Sequence, residues 1–394
     1  MGTLLFVMVG LQAVVSASAG DPFMTSETVL VQEVKGPIPD RVDDALWRSI
    51  PPATVLAYPQ HSLHLNDKVA NAALQTAKPR KLSVRAAVSS SEIGVHVEWE
   101  DATEDRIRPD ETSVFGDAVA LQVPQRFGEG IRLPYVGMGD EANPVVLYHQ
   151  RAASTGQVVR TAVAAGFGSS TRAAMDGVRM SLGYDVTTHR WRAVFVRPLV
   201  AHGGDLRQGL IPFALAVWDG NHSERGGNKS LTAWKFLRVP NRALSERYVN
   251  EVAWGHRPGD LGDVAKGRIL VESVCVACHH VGEKRLAAPG MAPDLTTIGG
   301  IASPSYLRDS ITQPSEVVVP SPNPNQHLRR PQAPGVTEVF PTSGLSDWST
   351  VDAQGKRVSR MPSFGTMSKE DVAAMVAYLR TLGVTTSTEQ EEAP

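Results

Sequence analysis

The chain contains two cysteines, which stand three positions apart and are followed directly by a histidine: Cys275, Cys278 and His279. Two thiols at this spacing can add across the vinyl groups of one porphyrin, and His279 is then held beneath the iron as its proximal ligand. The alternatives are a thioredoxin-like redox pair, which should follow a strand in a βαβ unit, and half of a zinc site. A zinc site needs further ligands at matching spacing, and there is no second cysteine pair. The motif therefore predicts one covalently attached haem c.

The residues on either side of this motif carry further short signals. Residues 263–273 predict a short helix, with Gly267 as a close-packing point. The run Ala292-Pro293-Asp294-Leu295 resembles the G-P-x-L loop of class I cytochromes c, with Ala in place of the usual Gly. A last helix is expected after Ser368, and Tyr378 stands where these cytochromes place an aromatic residue against the first helix. These signals predict a small all-α cytochrome c domain.

An iron held by His279 needs a soft or neutral donor on its other face to be coordinatively closed. The resemblance to class I cytochromes c implies Met361, because that family places a methionine just before the last helix. Met291 and Met367 are the competitors, and Met291 lies too close to the haem motif to reach the far face easily. Met361 is therefore the predicted sixth ligand of the haem c iron.

Length and composition set outer limits on the chain. Its 394 residues correspond to about two domains, and 42% apolar with 20% charged residues is the composition of a globular protein with large cores. The net charge of −2 offers no general electrostatic attraction to nucleic acid. We therefore expect a two-domain globular protein that does not bind nucleic acid.

The first nineteen residues predict a signal peptide. The segment from Thr3 to Val15 is mostly apolar, and Ala17-Ser18-Ala19 has the small residues of a cleavage site. An uncleaved anchor is the alternative, although the apolar run is short for a membrane span. Export to the periplasm with cleavage after Ala19 is expected, which agrees with haem c attachment outside the cytoplasm.

The first part of the chain has the sequence pattern of an antiparallel β-sandwich. Residues 81–88 and 93–99 alternate between apolar and polar positions, and Ser89-Ser90-Ser91 between them predicts a hairpin turn. Convincing helical patterns are few in this region. Further strands are expected at residues 117–124, 190–197, 211–218 and 231–239.

Several short sequence motifs of the first domain occur in a recognisable order. They are Asp43-Asp44-Ala45-Leu46-Trp47, Trp99-Glu100-Asp101-Ala102-Thr103, Gly116-Asp117-Ala118-Val119-Ala120-Leu121-Gln122, Trp191-Arg192-Ala193-Val194-Phe195-Val196-Arg197-Pro198-Leu199, Ala216-Val217-Trp218-Asp219-Gly220 and Glu224-Arg225-Gly226-Gly227-Asn228-Lys229-Ser230. In this order they resemble the haem b subunit of ethylbenzene dehydrogenase and its relatives. Those proteins are gamma subunits of periplasmic molybdenum enzymes of the dimethyl sulfoxide reductase group.

This resemblance implies one non-covalent haem b held by a methionine and a lysine. The methionine matches Met138, in a loop between glycines where backbone can approach a planar cofactor, and the lysine matches Lys229. Lys229 must be neutral to ligate, and burial would help by disfavouring its charged form. Without the resemblance, Met138 would be a packing residue and Lys229 a surface charge. His96, His149 and His202 are alternative ligands without a paired motif.

The predicted organisation is a signal peptide at 1–19, a β-sandwich haem b domain at 20–245, a linker at 246–262, a cytochrome c domain at 263–385 and a disordered acidic tail at 386–394. The resemblance implies a molybdopterin catalytic subunit and an iron–sulfur subunit as partners, with a soluble cytochrome or a terminal oxidase as redox partner. Nitrite oxidoreductase is one assembly that a fused subunit would suit. Chlorate, selenate, dimethyl sulfide and hydrocarbon systems are others.

The predicted function is electron transfer through haem b and haem c, without catalysis by this chain. Both cysteines are used by the haem motif, so no ligand set remains for an iron–sulfur cluster. The alternative is a mono-haem cytochrome c fused to a carbohydrate-binding module, because related sandwiches bind sugars on aromatic surfaces and six of seven tryptophans precede residue 255. A haem enzyme with its own substrate is weaker, since Met361 would close the iron.

Overall fold

The computed structural model describes residues 27–61, 77–166, 169–174, 176–201, 204–255, 261–287, 291–318, 348–354 and 356–384. The predicted signal peptide, the acidic tail and His202 lie outside these described residues, as do residues 256–260 of the predicted linker. Within the described ranges, no helix has both the length and the apolar character needed to cross a membrane.

The strands of the described chain fall mostly in its first part. They are β1 (Thr28–Glu33), β2 (Ala53–Pro59), β3 (Arg80–Val88), β4 (Glu92–Glu100), β5 (Ala118–Pro124), β6 (Val145–Ala153), β7 (Gly156–Ala164), β8 (Thr171–Arg172), β9 (Arg179–Asp185), β10 (Arg190–Pro198), β11 (Val200–Ala201), β12 (Gly204–Asp205), β13 (Leu210–Trp218), β14 (Ser230–Leu231), β15 (Lys235–Arg238), β16 (Ser349–Val351) and β17 (Arg357–Ser359).

Thirteen of these strands form one large sheet that folds over on itself into a sandwich. The order is β8-β7-β6-β5-β13-β14-β2-β3-β4-β10-β9, and β1 and β15 link β3 to β13. Pairing is antiparallel except at β1, which runs parallel to β3 and β15. The two layers are joined by side chains: Gln150 of β6 donates to the Val194 carbonyl oxygen at 3.0 Å, and Trp191 Nε1 donates to Asp117 at 2.9 Å. The predicted β-sandwich is confirmed.

The sandwich core is filled by inward-facing residues of both layers. Trp99 and Trp191 stack at 6.3 Å between ring centroids, and Leu82, Val84 and Phe213 are fully buried beside them. The strands predicted from alternation are present, and β3 and β4 form the predicted hairpin. The single strand expected at 231–239 is divided between β14 and β15. Among the longer strands of the sandwich, β1, β2, β6, β7 and β9 are additional to the prediction.

The helices complete the described structure. They are α1 (Ala45–Ser49), α2 (Glu246–Ala253), α3 (Val264–Val274), α4 (Ile298–Ile301), α5 (Pro304–Thr312) and α6 (Lys369–Leu379), with a 3₁₀ turn at Cys275–Ala277. Helix α2 lies where a linker was predicted, and its Tyr248 and Val249 pack into the sandwich core. Helices α3 to α6 surround a second core that contains Val271, Met375 and Val376. The small helical region expected for the cytochrome c domain is therefore present.

Candidate haem-binding sites

The Cys-x-x-Cys-His motif sits on the turn that ends α3. Asp263 caps the start of α3 by accepting hydrogen bonds from the backbone N–H groups of Ala265 and Lys266. At the other end the chain tightens, so that the His279 N–H donates to the Cys275 carbonyl oxygen at 2.9 Å. Cys278 is exposed and Cys275 is half-buried, where burial raises the pKa of its thiol to about 11. The motif is thus a compact turn with both thiols on one segment.

The ring of His279 is oriented by the loop that follows the motif. Its Nδ1–H donates a hydrogen bond to the Pro293 carbonyl oxygen at 2.7 Å. The other ring nitrogen, Nε2, is therefore the atom that can coordinate a metal. Burial lowers the pKa of His279 and so favours the neutral imidazole that metals require. Pro293 belongs to the segment that resembles the G-P-x-L loop, and the structure gives this segment a physical role in holding the ring.

The close-packing point expected at Gly267 is present where α3 crosses α6. A Cβ at this position would stand 1.8 Å from the Ala374 carbonyl oxygen and 3.1 Å from Cβ of Tyr378. Tyr378 therefore lies against the first helix, as the sequence predicted. This crossing sets the direction in which α3 presents the haem motif.

The three candidate sixth ligands have different surroundings. Met361 is half-buried in the segment between β17 and α6, where its N–H is held by the Ser359 hydroxyl at 3.1 Å. Met367 packs against the apolar core of the helical region. Met291 is 49% exposed. Of the three, Met361 is the one that is neither packed into that core nor largely in solvent.

In the sandwich, the outer face of β5 and β13 is built from alanines. On the inner side these strands carry large residues such as Leu121 and Leu215, whereas Ala120, Ala214 and Ala216 alternate with them on the outer side. The outer alanines are at most 6% exposed, so this face is covered rather than open to water. Small side chains at the centre of a buried face allow another group to approach the sheet closely.

Met138 lies beside this alanine face in a tight loop. Its φ of 74° is unusual for a residue with a side chain, and it belongs to the same apolar cluster as the outer alanines. Gln122 of β5 holds the loop by donating to the Val136 carbonyl oxygen at 2.8 Å. The loop is also tied to β6, because a Cβ at Gly139 would stand 3.2 Å from the Val145 backbone nitrogen. The predicted methionine is therefore held at one end of the face.

Lys229 lies at the other end of the same face and is only 5% exposed. Its Nζ stands 5.2 Å from the ring centroid of Trp218, and His149 packs edge-on against that ring at 5.3 Å. Burial lowers the pKa of Lys229 to about 8 and that of His149 to about 3. In the described part of the chain, no carboxylate forms an ion pair with Lys229. Burial therefore shifts this amine towards its neutral form, which is the form that can coordinate a metal.

The separation of the two ends of the face can be judged along β6. Val145 lies by the Met138 loop and His149 by Trp218, and four residues of strand correspond to roughly 13 Å between backbone positions. The long side chains of Met138 and Lys229 must therefore extend towards each other for both to reach one iron. Gln60 adds a second indication, since it is fully buried and neither of its side-chain amide atoms has a hydrogen-bond partner among the described residues. Its N–H donates to the Lys229 carbonyl oxygen at 3.0 Å. The residues present therefore fit a ligated planar group that carries polar substituents.

The sequence predicted Met138 and Lys229 as the ligands and gave His149 only as an alternative ligand, with nothing to place it beside Lys229. The structure places His149 next to Lys229 through their common neighbour Trp218. No motif marks His149, so only the pairing of β6 with β5, which sets it opposite Ala120, could have indicated its position. His96 is different, since its Nε2 bonds to the Val42 carbonyl oxygen at 3.2 Å in a separate part of the core.

The tryptophans that suggested a sugar-binding surface are mostly in the interior. Trp47, Trp99, Trp191 and Trp234 are at most 3% exposed. Trp218 is half-buried beneath Lys229. These residues therefore do not form an aromatic platform for carbohydrate.

Solved structures similar to this chain include a carbohydrate-binding module of family 9 from Caldicellulosiruptor kristjanssonii. Its complex with glucose has 8% identity and a TM-score of 0.33, and the match covers 55% of this chain and 97% of that one. Its complex with cellotriose has 9% identity and a TM-score of 0.32, with 55% and 95% covered. Likeness at this level supports no inference about function.

Sequence relatives are more informative. The cytochrome c family model matches residues 264–383. The chlorate reductase subunit gamma of Ideonella dechloratans is 32% identical over 199 residues, which cover 49% of this chain and 77% of that protein. A protein of Haloferax mediterranei named as a respiratory nitrate reductase heme subunit is 30% identical over 157 residues, covering 39% and 54%. The chain therefore belongs to the family of molybdoenzyme gamma haem subunits, joined here to a cytochrome c domain, and its role is electron transfer rather than catalysis.

Proposed function

We propose that this chain carries a haem b in its sandwich domain in addition to a haem c. The observation that carries the proposal is the buried amine of Lys229, which has no carboxylate partner in the described structure and faces Trp218. A buried charged amine without a partner is costly, and loss of its proton to bind iron removes that cost. Met138, at the opposite end of the alanine face, supplies the second ligand. Two axial ligands make such a haem an electron carrier without a substrate position.

For haem c, we propose covalent attachment through Cys275 and Cys278, with His279 and Met361 as the axial ligands. The hydrogen bond from His279 to Pro293 supports this assignment because it fixes the ring and frees Nε2. The exposed position of Met291 also supports the choice of Met361. A histidine and methionine pair raises the reduction potential relative to a more basic ligand set.

In the complete assembly, we propose that this chain relays electrons between a molybdopterin and iron–sulfur oxidoreductase and a soluble or membrane-bound carrier. The names of the relatives, a chlorate reductase subunit and a nitrate reductase haem subunit, support a partner of this kind. The proposed domains are 20–245 for haem b and 263–385 for haem c. Export to the periplasm after removal of residues 1–19 accords with attachment of haem c outside the cytoplasm.

Replacement of the lysine tests the haem b site in the full-length chain. In Lys229→Ala, the haem b is expected to become high-spin or to be lost, because one of its two ligands is missing. Optical and electron paramagnetic resonance spectra would report the spin state, and the haem c signals should not change. The matched control is Lys81→Ala, which removes an exposed lysine of the same domain and should leave both haems intact.

His149, the neighbour of Lys229, is the competing candidate for the haem b ligand. If His149→Phe turns the haem b high-spin while Lys229→Ala leaves it low-spin, then His149 is the ligand and the proposed lysine is wrong. If neither variant alters any haem b signal, the site is not on this face of the sandwich.

A further inference from the structure

The cytochrome c domain packs directly on strand β2 of the sandwich. Thr297, just before α4, donates a hydrogen bond from its hydroxyl to the Pro59 carbonyl oxygen at 2.8 Å, and is 7% exposed. Gly300 of α4 lies so close that a Cβ would stand 2.3 Å from the Tyr58 ring. Ile301 belongs to the same buried cluster as Tyr58 and the outer alanines. The two domains therefore meet at a buried contact beside the proposed haem b face.

On the sandwich side, this contact leads to the proposed lysine ligand. Pro59, which accepts the hydrogen bond from Thr297, is followed by Gln60, whose N–H donates to the Lys229 carbonyl oxygen at 3.0 Å. Pro59 also pairs with Ser230 across β2 and β14. One peptide unit therefore separates the contact with the cytochrome c domain from the segment that carries Lys229.

On the cytochrome side, the same contact leads to the proximal histidine. His279 donates from Nδ1 to the Pro293 carbonyl oxygen at 2.7 Å, and Thr297 follows Pro293 by four residues in the same short segment. The Leu295 N–H is bound to the His280 carbonyl oxygen at 2.9 Å, which ties this segment to the haem motif a second time. The segment from Pro293 to Thr297 thus spans the distance between the proximal ligand and the domain contact.

We infer that Thr297 is a positioning residue that couples the two haem sites, by completing a route of three hydrogen bonds between His279 and Lys229. The inference rests on the proposed function, because it requires iron at both ligand sets. Electronic coupling decays more slowly along covalent and hydrogen bonds than across a gap. The step is the transfer of one electron, in which the iron of one haem is oxidised and the iron of the other is reduced. No bond is broken and no proton moves.

The local structure makes a clean substitution possible at this position. The Pro59 carbonyl oxygen also accepts a hydrogen bond from the His61 N–H at 3.0 Å. Replacement of Thr297 by valine, which has the same shape, therefore removes the interdomain hydrogen bond without leaving the carbonyl group unsatisfied. Replacement by serine keeps the hydroxyl and serves as the conservative control.

The test uses the full-length chain with both haems bound, in which one electron is delivered rapidly by pulse radiolysis. Its exchange between haem b and haem c is followed at their separate absorption bands. Thr297→Val is expected to slow the exchange severalfold, while Thr297→Ser remains in the wild-type range. Both reduction potentials and both spectra should stay unchanged in each variant. An exchange rate in Thr297→Val equal to that of the wild type overturns the inference.

A second variant covers the case in which Thr297→Val fails to fold. Thr297→Ala removes the same hydroxyl with a smaller side chain, so the exchange should also slow. An unaltered rate in this variant likewise overturns the inference. A chain that binds no haem b overturns the proposed function, whereas a chain with two haems and an insensitive rate overturns only the role of Thr297.

Discussion

Gly267→Ala tests how the helical region holds the haem motif in place. In an isolated helix this change should stabilise by up to about 1 kcal/mol, because alanine favours the helix more than glycine does. Here the new methyl group would stand 1.8 Å from the Ala374 carbonyl oxygen, whereas ordinary contacts are at 3.4 Å or more. Helices α3 and α6 must separate by about 1.6 Å to accommodate it, and overpacking of a close-packed interior costs typically about 1–3 kcal/mol.

The clash should outweigh the gain in helix propensity. We expect a net destabilisation of the cytochrome c domain by about 1–2 kcal/mol, which corresponds to a fall of roughly 5–10 °C in its unfolding midpoint. Thermal unfolding followed at the absorption band of haem c, which is separate from that of haem b, would report this domain selectively. A midpoint that rises, as helix propensity alone would predict, would refute the close crossing of α3 and α6.

Two further predictions concern the distal ligand and the sandwich core. In Met361→Ala, the weak sulfur-to-iron absorption band of oxidised haem c should disappear and its potential should fall, while Met291→Ala should leave both unchanged; the reverse result would exchange the two assignments. His96 is 2% exposed, and burial lowers its pKa to about 4 from 6.5, so the unfolded chain takes up a proton before the folded protein does. The free energy of unfolding should therefore decrease as the pH falls from 6.5 towards 4, by about 3 kcal/mol more in the wild type than in His96→Phe, as measured by denaturant titration. Equal losses in the two proteins would show that His96 is not buried in its neutral form.

Much of the sandwich could be predicted because its strands alternate between apolar and polar residues. Strand β9 also follows this rule, since Met180, Leu182 and Tyr184 alternate with polar residues and pack against the core, so it could have been predicted in the same way. One exception has a physical cause. Strands β14 and β15 are separated by residues 232–234, where Trp234 turns towards the alanine face and donates from Nε1 to the Pro134 carbonyl oxygen at 2.8 Å. A run of apolar residues cannot show such a change of direction.

The haem c motif was predictable because thioether attachment requires its residues at fixed spacing. The haem b face and the contact between the two domains could not be predicted in this way. Alanines such as Ala120 and Ala216 do not indicate a binding face by themselves, because only the strand pairing places them together on one side of the sheet. The contact between Thr297 and Pro59 joins residues 238 positions apart and leaves no local pattern. Met138 and Lys229 came only from the family resemblance, since each residue type alone has commoner uses.

The number and type of haems in the purified full-length chain decide whether the sandwich domain carries a haem b. An alkaline pyridine haemochrome spectrum distinguishes haem b from haem c, and extraction with acidified acetone separates non-covalent from covalent haem. We expect one extractable haem b and one haem c that remains on the polypeptide. A chain that contains haem c alone, with nothing extractable, would contradict the proposed haem b site at Met138 and Lys229.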